Sequence, residues 1–567
     1  LLQMPLDVFP TFAPPQVEIL TEAPGFAPEE VESLVTLPIE SAINGTPGVE
    51  SVRSSSGVGL SMVRVVFNWS TDIYKARQLV TERVQQAQGK LPEGIERPEL
   101  APVSSPIGTI LKIAFTADTT PMMDVQRIVN WQVRNRLLAV PGVTQITVWG
   151  GDVRQYQVLV DPAKLRAFNV TLAEVTKAVE EANVNAPGGF LIDPDREFLI
   201  RGTGRLQSID QLKKAVVTER DSVPVLLDNV ANVQIGAELK RGDASFNGKK
   251  AVLLVVNKQP AADTVTVTKA VEAALEEIKP GLPKDVKITT TYDQESFIEA
   301  SVKNVEESLR DGVIIVSVVL ILFLMNWRTV VISLSALPLS LLLGMAVLKL
   351  TGDGINTMTL GGLVVAIGSV VDDAIVGMEN VYRRLRENQQ EGNPVPPLQV
   401  VFDASVEVRV SILLSSVIII VVFAPIFFLE GVEGRIFTPM GVAYLLSIIA
   451  STVVALTLTP ALCALMLVNR QLREEETWIS RLSARLYRPA LLFSLHRPKL
   501  VLLTASAAFV ASMVILSGVG QVFLPEFQEP SLVVAMNLYP GVSLDTTNRA
   551  GAVLENKFKD DPRFTAL

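Results

Sequence analysis

The sequence predicts an α+β membrane protein, in which a helical transmembrane bundle follows a large water-facing region of tandem β-α-β modules. Three observations carry this. Of 567 residues, 49% are hydrophobic and only 19% charged, with the apolar ones gathered after about residue 309. Six long apolar runs lie there, most reaching the roughly 20 residues that a spanning helix needs. Ahead of them, alternating and helical stretches follow one another twice in the same order.

The water-facing region opens after residues 1–15, read as the end of a first transmembrane helix and a link. Residues 16–20 alternate as a strand, and 28–44 form a helix opened by Pro-Glu-Glu, with acids in its first turn. A strand over 58–67 and a helix over 71–88 complete the first module, 16–108. The order recurs in 109–309. There a strand at 109–115 and a helix at 122–139 precede a strand from 144–149 running on through 156–160, then a helix at 171–183. Pro47-Gly48-Val49 and Pro141-Gly142-Val143 precede the matching strands. The pattern is that of split βαβ, ferredoxin-like subdomains. Residues 187–281 read as a β-rich insertion with turns at Gly188-Gly189 and Asn247-Gly248.

The apolar runs are 312–325, 330–350, 358–378, 412–429, 440–468 and 500–519, giving spans in 310–470 and again in 499–519. Arg328, the stretch with Arg383, Arg384 and Arg386, and 470–499 are basic, whereas the alternate loops carry only Arg435. The positive-inside rule therefore puts the basic loops in the cytoplasm and the large modules in the periplasm or exterior. Residues 471–498 read as a cytoplasmic amphipathic segment, Arg481, Arg485 and Arg488 facing the membrane surface. Pro425, ahead of Phe427-Phe428, is expected to kink its helix. A translocated N-terminal region needs a preceding span, and 523–530 echoes 9–15 in its Phe and Pro spacing. Both point to a parent chain of two parallel halves, with 520–567 opening the second.

The run from Met358 to Asn380 is the stretch most charged with meaning. It is apolar for about four turns and then sets Asp372 beside Asp373. A central Asp costs a spanning helix roughly 2.5–3.5 kcal/mol on insertion scales, so it is rarely there without a use. Burial favours the neutral acid, and a like-charged neighbour keeps one of the two protonated longer. The reading is a proton site. Its alternatives are a structural pair hydrogen-bonded in a bundle, or a helix that ends early in water. Glu379, seven residues on from Asp372, shares that face with Gly361 and Gly368. The plain reading of Glu379 is a solvated helix end, with a proton path as the alternative. The glycines are expected to let a neighbouring helix approach.

Other chemistry is thinly supplied. A net charge of −9 argues against nucleic acid. Cys463 is the only cysteine and His496 the only histidine, so this chain assembles neither a disulfide nor a histidine zinc site. Asn247-Gly248-Lys249-Lys250 lacks the spacing of a phosphate loop, and no Gly-x-Gly pair gains a third glycine. The chain is expected to be no enzyme and to need no cofactor. Membrane spans, a carboxylate pair and no nucleotide site describe a secondary transporter; one charge crossing 100 mV supplies about 2.3 kcal/mol.

Gly368-Ser-Val-Val-Asp372-Asp373-Ala-Ile-Val-Gly-Met-Glu379-Asn380 is similar to the fourth-helix signature of the resistance-nodulation-division (RND) exporters. Pro5-Leu-Asp7-Val-Phe9-Pro10, Arg435-Ile-Phe-Thr-Pro439 and Leu456-Thr-Leu-Thr-Pro460 match that family too. The resemblance implies periplasmic porter subdomains with a docking insertion, and a homotrimer in the bacterial inner membrane. It also implies a periplasmic adaptor, an outer-membrane channel and proton-driven efflux. Asp372 and Asp373 would be the relay acids, their lysine partner lying in the second half. Thr71-Asp72-Ile-Tyr74-Lys75, Arg201-Gly-Thr-Gly204-Arg205 and Pro224-Val-Leu-Leu-Asp228 resemble the heavy-metal branch, copper/silver and cobalt/zinc/cadmium exporters included. Met358 stands where copper and silver exporters place a methionine, a soft donor for Cu(I) and Ag(I); its plainer reading is packing. Two departures are that Asp373 completes a pair typical of drug exporters, and that the second methionine aligns with Ile448. The alternatives are multidrug or solvent efflux, a protein-secretion accessory, and a non-transporting receptor.

Overall fold

The computed structural model describes residues 7, 14–103, 108–202, 204–220, 222–240, 242–260, 262–324, 326–351, 354–392, 395–468, 478–518, 532–539, 541–559 and 561. The 523–530 echo, most of 1–15 and the start of 471–498 fall outside them. The chain divides into two compact units. One holds Leu1–Ile110, Asn257–Ala270 and Asp293–Val533, the other Leu111–Val256, Val271–Tyr292 and Val534–Leu567.

In the first unit, β1 (Gln16–Glu22), β2 (Val49–Gly57), β3 (Leu60–Phe67) and β4 (Glu99–Leu100) form a sheet ordered β2-β3-β1-β4. Ile19 of β1 lies opposite both Val63 and Leu100, which fixes the register. Alternation then sends Val17, Ile19, Val63, Val65 and Phe67 to one buried face. Ile39, Ile43, Ala76 and Val80 of two helices cover it. The first of these, starting at Pro28, passes through a π turn (Glu32–Thr36) into Leu37–Ile43. Pro38 explains the bulge, since it has no N–H to offer and its ring crowds the preceding turn. The second helix, Ile73–Gln88, is capped by Asp72, whose carboxylate accepts from the N–H groups of Tyr74 and Lys75. The strand expected at 58–67 is present as β3, and the structure adds its hairpin partner β2, which was not expected. Gly59 takes φ +70° and its N–H donates to the Phe26 carbonyl, so the chain turns there.

A second four-stranded sheet repeats this order. Its strands are β5 (Thr109–Ala117), β6 (Val143–Gly150), then, beyond an insertion carrying β7 (Arg154–Val160) and β8 (Ala231–Ala237), β9 (Val252–Lys258) and β10 (Val286–Asp293). They stand in the order β10-β5-β9-β6, the same sequence of neighbours as in the first sheet. Its first helix also bulges, at the π turn Val129–Val133. The strand read as continuous from 144 to 160 breaks in two at Gly150 and Gly151, with φ +75° and +72°. A Cβ on Gly150 would stand 2.6 Å from the Ala251 carbonyl, so only glycine lets the chain leave where it later returns. The insertion therefore occupies the stretch between β6 and β9, not 187–281. Residues 252–278 belong to the sheet and its second helix, Thr264–Ile278. Within the insertion β7 pairs antiparallel with β8, Val158 opposite Val233, around a core of Val170, Leu212, Leu227 and Val230.

The helical part consists of α1 (Gln294–Leu324), α2 (Trp327–Thr351), α3 (Thr357–Gln390), α4 (Pro397–Phe423), α5 (Gly431–Leu467), α6 (Trp478–His496) and α7 (Pro498–Ser517). Among the described residues, five helices are long and apolar enough to cross a membrane: α2, α3, α4 with its 3₁₀ extension to Phe428, α5 and α7. The first expected run is not one of them. It is the last part of α1, whose preceding turns carry Glu306, Glu307, Arg310 and Asp311. Pro425 ends α4 rather than kinking it, because the helix tightens to a 3₁₀ turn over Ala424–Phe428.

Asp285 illustrates how the second unit is tied. Its carboxylate accepts from the N–H and hydroxyl of both Thr119 and Thr120 at 2.7–2.9 Å, joining the end of β5 to the start of β10. Hydrogen bonds to the ionised form, those of Thr120 first, hold its pKa below the ordinary aspartate value. A depressed pKa stabilises the fold above the unfolded value of about 3.9 and loses that effect as pH falls through the folded value. Asp285→Asn should thus lower the unfolding midpoint at neutral pH. The gap to the parent protein should close on acidification below about pH 4, measured by thermal melts across pH.

Candidate functional site

The Asp372/Asp373 helix is fixed at its start by a reciprocal cap. Asn356 Oδ1 accepts from the Thr359 N–H at 2.9 Å, and Thr359 Oγ1 accepts from the Asn356 N–H at 2.8 Å. From there α3 runs beside α5. A Cβ on Gly362 would come within 2.4 Å of the Met440 carbonyl, so this glycine sets how closely the two backbones pack. Ala366 and Val370 continue the contact against Tyr444 and Ile448. One turn later it meets the acids.

Asp373 is half-buried, and Ser451 of α5 is buried beside it. The Ser451 Oγ lies 3.3 Å from Asp373 Oδ2 and 3.1 Å from the Val370 carbonyl. A hydroxyl has one proton to donate, so those two acceptors compete for it. With Asp373 ionised, Ser451 serves the carboxylate. With Asp373 neutral, the acid can itself donate to Ser451 Oγ while Ser451 serves Val370. One polar link between α3 and α5 can thus take two forms, one for each protonation state of Asp373.

Asp372 points elsewhere. It is exposed in this chain and, among the described residues, makes no hydrogen bond or ion pair. Val365, Gly368, Asp372, Val376, Glu379 and Arg383 form one exposed stripe along α3, at three- and four-residue spacing. Gly368 in this stripe and Gly361 before it have nothing within 4 Å, so the expected helix approach at these glycines is not made in this chain. The glycine closely approached is Gly362, turned about 100° from Gly361 by the helical step. Glu379 is exposed. Met358 is half-buried in the first turn of α3. Ile448 lies in the apolar core, 1% exposed. Among the described residues no group of three His, Cys, Asp or Glu side chains stands ready to hold a metal ion. One turn past Asp373, a cavity of about 20 Å³ is lined by Gly377, Ser405, Thr459 and Pro460. That is room for a single water molecule.

The AcrB/AcrD/AcrF family matches the sequence over residues 1–567. The chain belongs to this family. Its sequence is 35% identical over 553 residues to the cation efflux system protein CusA of Escherichia coli (strain K12), covering 96% of this chain and 53% of that protein. It is 34% identical over 574 residues to the cobalt-zinc-cadmium resistance protein CzcA of Cupriavidus metallidurans, covering 98% of this chain and 53% of that one. The fold is similar to the crystal structure of a heavy metal efflux pump in its crystal form II. The TM-score is 0.86 at 29% identity, over 99% of this chain and 54% of that one. The chain spans about half the length of the curated AcrB/AcrD/AcrF relatives it matches.

Sequence reading placed the acids on a helix and missed Ser451. The signal was available: Ser447 and Ser451 are small polar residues four apart in a largely apolar run, the spacing of one helix face. Gly362 offers the sharper check on packing. Valine has the better helix propensity by a few tenths of a kcal/mol. Gly362→Val should nonetheless lower stability by about 1–3 kcal/mol, because its methyls meet the Met440 backbone. A thermal melt in detergent with an unchanged midpoint would show that α3 and α5 do not pack through this glycine.

Proposed function

We propose that this chain is the N-terminal half of a proton-driven heavy-metal exporter, with Asp372 and Asp373 as its proton-accepting pair. The observation that carries the reading is the Ser451 hydroxyl bridging α5 to Asp373 and Val370 of α3. The family membership and the names of its relatives, cation efflux and cobalt-zinc-cadmium resistance proteins, supply the substrate class. In the proposed cycle, proton entry neutralises Asp373, Ser451 turns to the Val370 carbonyl, and α3 and α5 settle into a second arrangement. Asp372 and the exposed stripe around it face the second half of the bundle, whose basic partner holds the ionised pair. The cycle assigns the small cavity lined by Thr459, one turn past Asp373, to the proton's way out.

The rest of the proposal follows the same reading. The two sheets of matching order support ferredoxin-like porter subdomains on the periplasmic side. The helices long enough to cross support a multi-pass inner-membrane protein. A homotrimer working with a periplasmic adaptor and an outer-membrane channel completes the assembly. Met358 is assigned packing, and Glu379 a solvated position on α3, which runs on past it to Gln390 rather than ending there.

Asp373→Asn and Asp372→Asn in the full-length transporter should each reduce metal export by at least about tenfold, a loss of roughly 1.4 kcal/mol in coupling, while trimer formation is retained. Cells are challenged with Cu, Ag, Zn, Co and Ni salts and separately with dyes and detergents. Protection against metals that vanishes in both variants supports the proposal. Protection against dyes alone would move the substrate to drugs, and full metal protection in both variants would remove the proton role.

A further inference from the structure

Asp7 links three stretches of chain that are far apart in sequence, all within the first unit. Its backbone N–H donates to the Ile355 carbonyl at 3.1 Å, one residue ahead of the Asn356 cap of α3. Its carboxylate takes the Lys258 ammonium at 2.5 Å on Oδ2 and the Thr264 hydroxyl at 3.3 Å on Oδ1. Lys258 Nζ donates in addition to the Ala262 carbonyl at 2.9 Å. Lys258 is the last residue of β9, and Thr264 the first of the helix that follows. The lysine side chain is only 5% exposed.

A charge buried to this degree is seldom kept for stability, because desolvation offsets most of the attraction. What it does provide is a stiff, directional joint. Two other helices of this part carry polar attachments at their beginnings. On α5, Arg435 Nη2 donates to the Trp69 carbonyl at 3.2 Å and sits 5.7 Å over that ring. On α1, Glu295 pairs with Lys269 at 3.2 Å. The two helices whose contact changes with the protonation of Asp373 are thus held at their starts by different anchors, α3 through Asp7 and α5 through Trp69. Any sliding of α3 against α5 pulls on the Asp7 joint.

We infer that the buried Asp7–Lys258 pair passes a displacement of α3 to the strand–helix joint at Lys258 and Thr264, so that Asp7 and Lys258 are positioning residues for transport. The inference rests on the proposed proton-driven export. Acid-driven movement begins about five turns along α3 from the joint, and an α-helix is stiff over that length. The ion pair adds what a backbone hydrogen bond alone lacks, a second attachment on the same carboxylate that prevents rotation. Loss of the pair should leave protons able to reach Asp373 and leave metal export without its drive.

The test uses the full-length transporter in proteoliposomes with an internal pH dye, challenged with Zn²⁺ and Ag⁺ in separate runs. The variants are Lys258→Met, Asp7→Asn, Lys258→Arg and the exchange Asp7→Lys with Lys258→Asp. The expected result is that Lys258→Met and Asp7→Asn keep proton entry within about twofold and lose about tenfold or more of metal export. Lys258→Arg and the exchange should each restore at least half of that export. Proton entry and export falling together, or neither falling, overturns the inference, as does export that neither Lys258→Arg nor the exchange restores. Single variants that fail to assemble leave Lys258→Arg and the exchange to decide. A parent protein that moves neither metal against protons removes the export reading itself, and the inference with it.

Discussion

A carboxyl group inside a bundle of apolar helices persists only where a neighbour answers its charge, and here that neighbour is a serine. The Ser451 hydroxyl stands between Asp373 and a backbone carbonyl, on a helix whose backbone is brought close by a glycine. Each part depends on the one before it. Without Gly362 the helices separate, and without that closeness Ser451 cannot reach across to α3. In the proposed cycle a single proton decides which acceptor the hydroxyl serves. Insertion energies of a few kcal/mol per acid make this an expensive arrangement to keep, and its sensitivity to protonation is what such a cost can sustain.

The water-facing part is held by a different kind of interaction. Its two sheets share one order of strands, and in both the first helix bulges through a π turn. Carboxylates fasten their ends: Asp285 collects four donors from two threonines, and Asp118 accepts from Lys249 and Lys287, whose hydrogen bonds first and charges second hold its pKa below the usual range. These ties close spans of 131 to 169 residues of chain. The ties at the beginnings of α3 and α5 join the helical part to segments hundreds of residues away, and the one at α3 runs through Asp7, whose partner Lys258 is nearly closed to water.

Much of this was legible in the sequence, for reasons that can be named. Apolar runs near 20 residues leave few alternatives to long helices, and two adjacent aspartates within one stand out by their cost. Alternation and proline-led turns gave the modules. What escaped was set by conformation or by distance along the chain. Gly59 and the pair Gly150-Gly151 look like any strand glycine until their positive φ shows that the chain turns or departs there. Gly361 and Gly362 are neighbours in sequence, and only the rotation of α3 decides which one meets Met440. The Asp7–Lys258 pair joins residues 251 positions apart, beyond the reach of any local pattern.

The claim that everything else leans on is that Asp373 gains and loses a proton while Ser451 changes acceptor. Infrared difference spectroscopy of the full-length protein in membranes, taken between alkaline and acid buffer, reads this directly. The account requires a protonated-carboxyl band that grows on acidification, disappears in Asp373→Asn and shifts in Ser451→Ala. A spectrum with no such band, or one that both substitutions leave unchanged, would contradict it.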